Sequence, residues 1–321
     1  MFATRLSCLR ILILVASSPA LGTYAQPAVP YPTQLVRIVV PFSAGSTSDL
    51  LARTIGDRLS ARWQQQVIVE NRPGIAGTAS VAKAQPNGYT IIMASNGHAI
   101  LDRISASLPF DPIKDFVGIS EVGTLPLVLV VPPNSPATSL LDFIGLARAA
   151  PGKMSYASAG FGSTTYMASE LLKRIAKIDV LHVPYRGAPD AHTSVMRSDT
   201  QMCFTPVSVG AELIQTGKVR ALAVSDKLRS HALPNVPTFS EAGVPDFAFE
   251  AWFGLLAPVS TTPSTLNKIS GDVSALLKSE EMTRLFMAQG VTAVSSTPEE
   301  FTALLKSEAV RFGELLPRAQ D

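Results

Sequence analysis

Cysteine is almost missing from this chain: its 321 residues hold only Cys8 and Cys203. Cys8 lies in a basic-then-apolar start, with Arg5 and Arg10 flanking it, an apolar stretch from Ile11 to Ala16, and small residues ending at Thr23-Tyr24-Ala25. This pattern predicts a secretory signal peptide over residues 1–25, cleaved after Ala25, whose apolar part is too short to span a bilayer. Cys8 precedes the apolar stretch, so it is not a lipoprotein cysteine. The mature chain keeps Cys203 alone, which excludes an internal disulfide and leaves the hydrophobic core to hold the fold. Clustered positive charge is missing too. Lys and Arg number 27 against 25 Asp and Glu, and loss of Arg5 and Arg10 with the signal brings the mature chain to neutrality. Without a polybasic run or a basic aromatic stripe, nucleic acid and anionic membrane surfaces are not expected as partners. Beyond the signal no apolar run is long enough for insertion into a membrane.

Catalytic and metal signatures are equally scarce. His98, His182, His192 and His231 have no partners at metal-ligand spacing. There is no G-x-S-x-G elbow and no recognisable serine triad. Ser80-Val81-Ala82-Lys83 fits S-x-x-K, but the S-D-N and K-T-G partners of that pattern are absent. An exported hydrolase is therefore the weaker reading, and no catalytic residue, metal or cofactor is expected.

What the chain does have is a repeated arrangement of apolar strand, small-residue loop and amphipathic helix. The first runs from Val36 to Phe42 through Ser43, Ala44, Gly45, Ser46, Thr47 and Ser48 into a helix from Asp49. The second runs from Lys153 to Ala157 through Ser158, Ala159, Gly160, Phe161, Gly162, Ser163, Thr164 and Thr165 into its own helix. A helix start presents unpaired N–H groups and the positive end of the macrodipole, and glycine and serine let an anion come close. Two such cradles in different lobes imply a clamp for a small molecule that carries a carboxylate.

Around these loops, strand-length apolar runs alternate with helical patterns: Arg37 to Val40, a helix over Asp49 to Arg62, Val67 to Val69, a helix near Thr78 to Ala84, and Thr90 to Ala94. Runs apolar on both sides predict parallel strands buried under helices, an α/β class. On the first helix Leu50, Leu51, Ile55 and Leu59 form one apolar stripe. Leu125 to Val131 and Trp252 to Ala257 are each followed by a proline-rich turn and read as crossovers between lobes. The expected domains are a first lobe of residues 26–128 plus 253–321, closed by three tail helices, and a second lobe of residues 129–252. Trp252 and Phe253 are expected in the core at the crossover, with an aromatic cleft floor as the alternative.

With these loops placed, the chain resembles the Bug receptor family, extracytoplasmic solute receptors of tripartite tricarboxylate transporters. The resemblance covers nearly the whole mature chain. It is carried by Pro41-Phe42-Ser43-Ala44-Gly45 with Asp49, Glu70-Asn71-Arg72-Pro73-Gly74, Pro86-Asn87-Gly88-Tyr89-Thr90, Ser158 to Ser163, Val183-Pro184-Tyr185-Arg186-Gly187 and Glu241-Ala242-Gly243, in that order. It implies a type II periplasmic-binding-protein fold, two lobes closing on a carboxylate held largely by backbone amides and bridging water. It also implies a periplasmic location and delivery to a membrane permease of the tripartite tricarboxylate type. A sensor kinase is the alternative membrane partner, and the receptor is expected to be a monomer.

Carried onto this chain, the first-lobe contacts are Ser43 to Thr47, then Ile75, Ala76, Gly77 and Thr78 after Gly74, then Asn96 and His98. Those of the second lobe are Ser158 to Thr164 and the turn Tyr185, Arg186, Gly187 and Ala188. Several positions depart from the family pattern. Ser46 stands for a second glycine, Ile75-Ala76-Gly77 for a glycine-rich run, and Tyr166 for a histidine. Ser194 and Thr205 stand where acidic residues are usual, and Arg197-Ser198 replaces a glycine pair. The ligand is therefore not carried over with the family.

Overall fold

The computed structural model describes residues 31–105 and 107–315, so the signal peptide and the cleavage site expected at Ala25 lie outside the described residues. Two sheets, each covered by helices, make two α/β lobes. The first begins with β1 (Val36–Val40), β-branched and buried except at the exposed Arg37, flanked in parallel by β2 (Val67–Asn71) and β3 (Thr90–Ser95). Helix α1 (Thr47–Trp63) follows β1, and α2 (Ile75–Ala82) follows β2. A 3-10 turn (Asn96–Ile100) and the short α3 (Leu101–Ile104) follow β3.

On α1 the stripe Leu51, Ile55 and Leu59 is fully buried, each side chain worth about 1.5–3 kcal/mol of burial. Leu50 is not part of that stripe: it is 43% exposed. At 100° per residue Leu50 and Leu51 cannot both face the sheet, and Leu51 takes the inward position.

Strand β4 (Phe116–Leu125) completes the outward path, and only Pro126 separates it from β5 (Leu127–Val131), which belongs to the second sheet. That sheet also holds β6 (Met154–Ser158), β7 (Val180–Pro184), β8 (Met202–Pro206) and β9 (Arg220–Val224) in the order β7-β6-β8-β5-β9. Helices α4 (Leu140–Ala149), α5 (Thr164–Ala176), α6 (Ala188–Met196) and α7 (Val207–Gln215) connect them. The chain returns through β10 (Ala251–Pro258), which inserts between β3 and β4. It ends with α8 (Pro263–Leu277), α9 (Glu280–Met287), β11 (Thr292–Ala293) and α10 (Pro298–Leu315).

The runs expected to be parallel, β1 to β3, are parallel, but both sheets are mixed because the crossover strands are reversed. β10 runs antiparallel to β3 and β4, and β5 antiparallel to β8 and β9. The reversed strands are the crossovers themselves: a strand that enters a sheet from the other lobe arrives from the opposite end. Their apolar composition matches that of the parallel strands because both kinds are buried on two faces. Cys203 lies buried in β8, where burial pushes its thiol up to about 12 and leaves it unreactive. Among the described residues no helix is long and apolar enough to cross a membrane.

Candidate functional site

The two helix openings are built alike. In the first, Gly45 adopts φ +79°, the Ser46 N–H donates to the Ser43 carbonyl (3.2 Å), and the Ser46 hydroxyl caps α1 by accepting from the Asp49 N–H (3.3 Å). In the second, Gly160 adopts φ +108°, the Ser163 N–H donates to the Gly160 carbonyl (3.2 Å), and the Ser163 hydroxyl caps α5 by accepting from the Tyr166 N–H (3.2 Å). The capping geometry leaves two first-turn amides on each helix without an acceptor among the described residues. These are Thr47 and Ser48 on α1, and Thr164 and Thr165 on α5.

The loops differ in what anchors them. Beneath the first, the buried Asp49 carboxylate accepts from the Gly45 N–H (2.9 Å) and Asn71 Nδ2 (2.9 Å) and pairs with Arg53 (3.0 Å). Burial raises its pKa, but the bonds from Arg53, Gly45 and Asn71 outweigh burial and hold the carboxyl below its ordinary value. The second loop rests on neutral groups. Thr165 Oγ1 accepts from the Ala159 N–H (3.1 Å), and Ser158 Oγ bonds His182 Nε2 (2.7 Å). His182 is stacked on Tyr156, and burial lowers its pKa to about 4.

Both openings line one cavity of about 450 Å³ between the lobes. The lobes touch around it. Ser43 Oγ donates to the Arg186 carbonyl (2.9 Å), and Ser208 Oγ donates to the Gln289 carbonyl (3.3 Å). Gly97 meets Gly162 so closely that a Cβ at Gly97 would lie 1.9 Å from the Gly162 carbonyl oxygen. The structure is thus a closed form. The starts of α6 and α7 also reach the cavity, through Gly187, Ala188, Pro189, Pro206 and Ser208. They are poorer donors. Pro189 has no N–H, and the Val207 N–H is taken by the Pro126 carbonyl (3.1 Å).

Of the residues expected at the site, Ser43, Gly45, Ser46, Thr47, Ala159, Ser163, Thr164, Arg186, Gly187 and Ala188 line the cavity. The others are placed elsewhere for identifiable reasons. Ala44 is exposed at the loop tip. Ile75, Ala76, Gly77 and Thr78 form the first half of α2; Gly77 is packed on the Arg72 carbonyl and Thr78 is buried. Asn96 is a structural clasp: its Oδ1 accepts from the Trp252 N–H (2.9 Å), and its Nδ2 donates to the Glu250 carbonyl (3.0 Å). His98 bonds the Pro112 carbonyl (2.9 Å) and packs edge-on to Phe116, and burial lowers its pKa to about 4.

In the second lobe Ser158 is occupied by His182, and Gly160 holds the loop's positive φ. Phe161 is 58% exposed against Tyr166 and His182, and Gly162 abuts Gly97. Tyr185 packs its ring into the second lobe and donates its hydroxyl to Ser194 Oγ (2.8 Å).

Other lining residues escaped the sequence reading. Ser95, Leu50, Leu125, Leu127, Val209, Glu212, Gln289 and His192 all contribute, and Phe253 lines the cavity as the alternative of an aromatic floor had it. Phe253 faces the cavity, whereas its neighbour Trp252 packs edge-on to Phe301 at 5.4 Å, as strand alternation requires. His192 lies four residues after Ala188 on α6, and that i, i+4 spacing was the available signal. Among the described residues no group of three or more His, Cys, Asp or Glu is arranged to hold a metal ion.

Against known proteins, the family model "Tripartite tricarboxylate transporter family receptor" matches residues 51–320. The chain belongs to this family. It is 30% identical to Protein BugT of Bordetella pertussis over 94% of this chain and 95% of BugT. Among solved structures it is similar to Rpa4515 of R. palustris with adipate, at 30% identity and TM-score 0.80, covering 89% of this chain and 97% of that one. It is also similar to MatC of Rhodopseudomonas palustris with bound malate, at 28% identity and TM-score 0.81, covering 89% and 99%. The family and the two-lobed fold are those of periplasmic solute-binding receptors, not of enzymes.

Proposed function

We propose that this protein captures a small carboxylate between its lobes in the periplasm and presents it, without turnover, to a membrane permease of the tripartite tricarboxylate type. The observation that carries this reading is the pairing of free first-turn amides. Thr47 and Ser48 from one lobe, and Thr164 and Thr165 from the other, line a single cavity. Backbone N–H groups at helix starts stabilise an anion without bringing a counter-ion of their own. Because the amides come from both lobes, binding favours the closed form, and a partner that reads the closed surface senses occupancy. The first lobe comprises residues 26–128 plus 253–321 and the second residues 129–252, a division supported by the change of sheet between β4 and β5 across Pro126 and by the return of β10 to the first sheet. Residues 1–25 serve as the export signal, and the mature receptor is a monomer.

A thermal-shift screen of mono- and dicarboxylates, neutral sugars and cationic amines tests the assignment. Carboxylates are expected to raise Tm and the other two classes to leave it unchanged. Stabilisation by sugars or amines alone contradicts the assignment.

A further inference from the structure

His192 is the part of the cavity that carboxylate binding leaves unused. It sits on α6 on the same face as Ala188, lines the cavity, is only 8% exposed, and makes no hydrogen bond among the described residues. Its ring nitrogens are not among the fully buried atoms, so a ligand that fills the cavity takes away their water and must supply a hydrogen-bond partner or leave the imidazole unpaired at a cost. On the first-lobe side of the same cavity, Ser95 Oγ and Gln289 Oε1 are also buried and without a partner among the described residues.

The charge of the wall narrows what that partner is. Among the lining residues the charged side chains are Arg186 and Glu212, both exposed and of opposite sign. Much of the remaining wall is apolar, with Phe42, Leu50, Leu125, Leu127, Val209 and Phe253. A second carboxylate held there would be a desolvated charge with no cation reserved for it. A hydroxyl or carbonyl group satisfies the imidazole without that penalty. Resting on the carboxylate reading above, we propose that the ligand is a monocarboxylate with an apolar body and an uncharged hydroxyl or carbonyl group, and that His192 hydrogen-bonds this group and sets specificity.

The test is titration calorimetry on the mature protein with two matched series: hexanoate, 6-hydroxyhexanoate and adipate; benzoate, 3- and 4-hydroxybenzoate and terephthalate. In at least one series a hydroxy acid is expected to bind about tenfold tighter than both its parent acid and the dicarboxylate. His192→Leu is expected to lower the ratio of hydroxy acid to parent by about tenfold, with His192→Gln restoring part of it. A dicarboxylate as the tightest ligand in both series, or a ratio that His192→Leu leaves unchanged, overturns the assignment while the carboxylate reading stands. Wild-type protein that binds none of these acids overturns both. The wild-type ratios decide even if a variant fails to fold.

Discussion

The openings of α1 and α5 perform the same backbone task on different supports. Each has a positive-φ glycine, a serine cap and two free amides, yet one loop is tied down by a buried, multiply bonded carboxylate and the other by hydroxyls and a neutral imidazole. The shared part is what an anion needs. The unshared part sets how firmly each loop is held, and Asp49 makes the first the stiffer half of the clamp. The second loop, held by neutral hydrogen bonds alone, is the one whose geometry is easier to disturb.

Proline at the first helical position separates the amide from everything else. Ser46 and Ser163 already adopt φ and ψ of −69° and 157°, and −74° and 155°, which a following proline accepts, so Thr47→Pro and Thr164→Pro remove one N–H each without breaking a helix. Each is expected to weaken carboxylate binding by about 10- to 100-fold, the worth of a hydrogen bond to a charged group, while Thr47→Ala and Thr164→Ala retain binding. Calorimetry would show whether the two openings contribute equally. A loss confined to one of them breaks the symmetry proposed here.

The anchors give the next largest effect. Asp49→Asn is expected to cost about 2 kcal/mol of stability in denaturant unfolding, because three charge-assisted contacts weaken at once, and Thr165→Val about 1 kcal/mol. Equal costs would mean that the carboxylate does not distinguish the loops.

The smallest effect is in pH. Burial lowers His182 and His192 of the second lobe, and His98 of the first, to about 4, whereas Glu121 of the first lobe is raised to about 7 by burial and by Glu250 and Glu308. A buried histidine with a depressed pKa contributes stability that is complete above its unfolded value and is lost as pH falls from about 6.5 towards 4. Glu121 acts in the opposite sense, losing stability as pH rises from about 4.5 to 7. Between pH 7 and 5 the second lobe should therefore weaken more than the first. Hydrogen exchange should show α5 to α6 losing protection before β1 to β3, and the reverse order would contradict the lobe comparison.

The loops were legible in the sequence because their signals are local. Gly45 and Gly160 mark the turn, Ser46 and Ser163 the cap, and Asp49 the first turn, all within a few residues of one another. Which side chains face the cavity was less legible. Ser95 faces it while Asn96 and His98 turn to the β10 entry and to Pro112, and Tyr185 turns inward to Ser194. Those outcomes depend on partners 9 to 156 positions away in sequence, which no local pattern contains. The direction of the crossover strands was hidden for the same reason. β5 and β10 have the composition of buried parallel strands, and only the path of the chain between lobes reverses them.

The most direct measurement is a crystal structure of the mature protein with a carboxylate that raises its Tm. The carboxylate oxygens should lie within hydrogen-bond distance of the Thr47 or Ser48 amide on one side and the Thr164 or Thr165 amide on the other. A ligand whose carboxylate points to solvent, or one seated outside the interlobe cavity, would contradict the account.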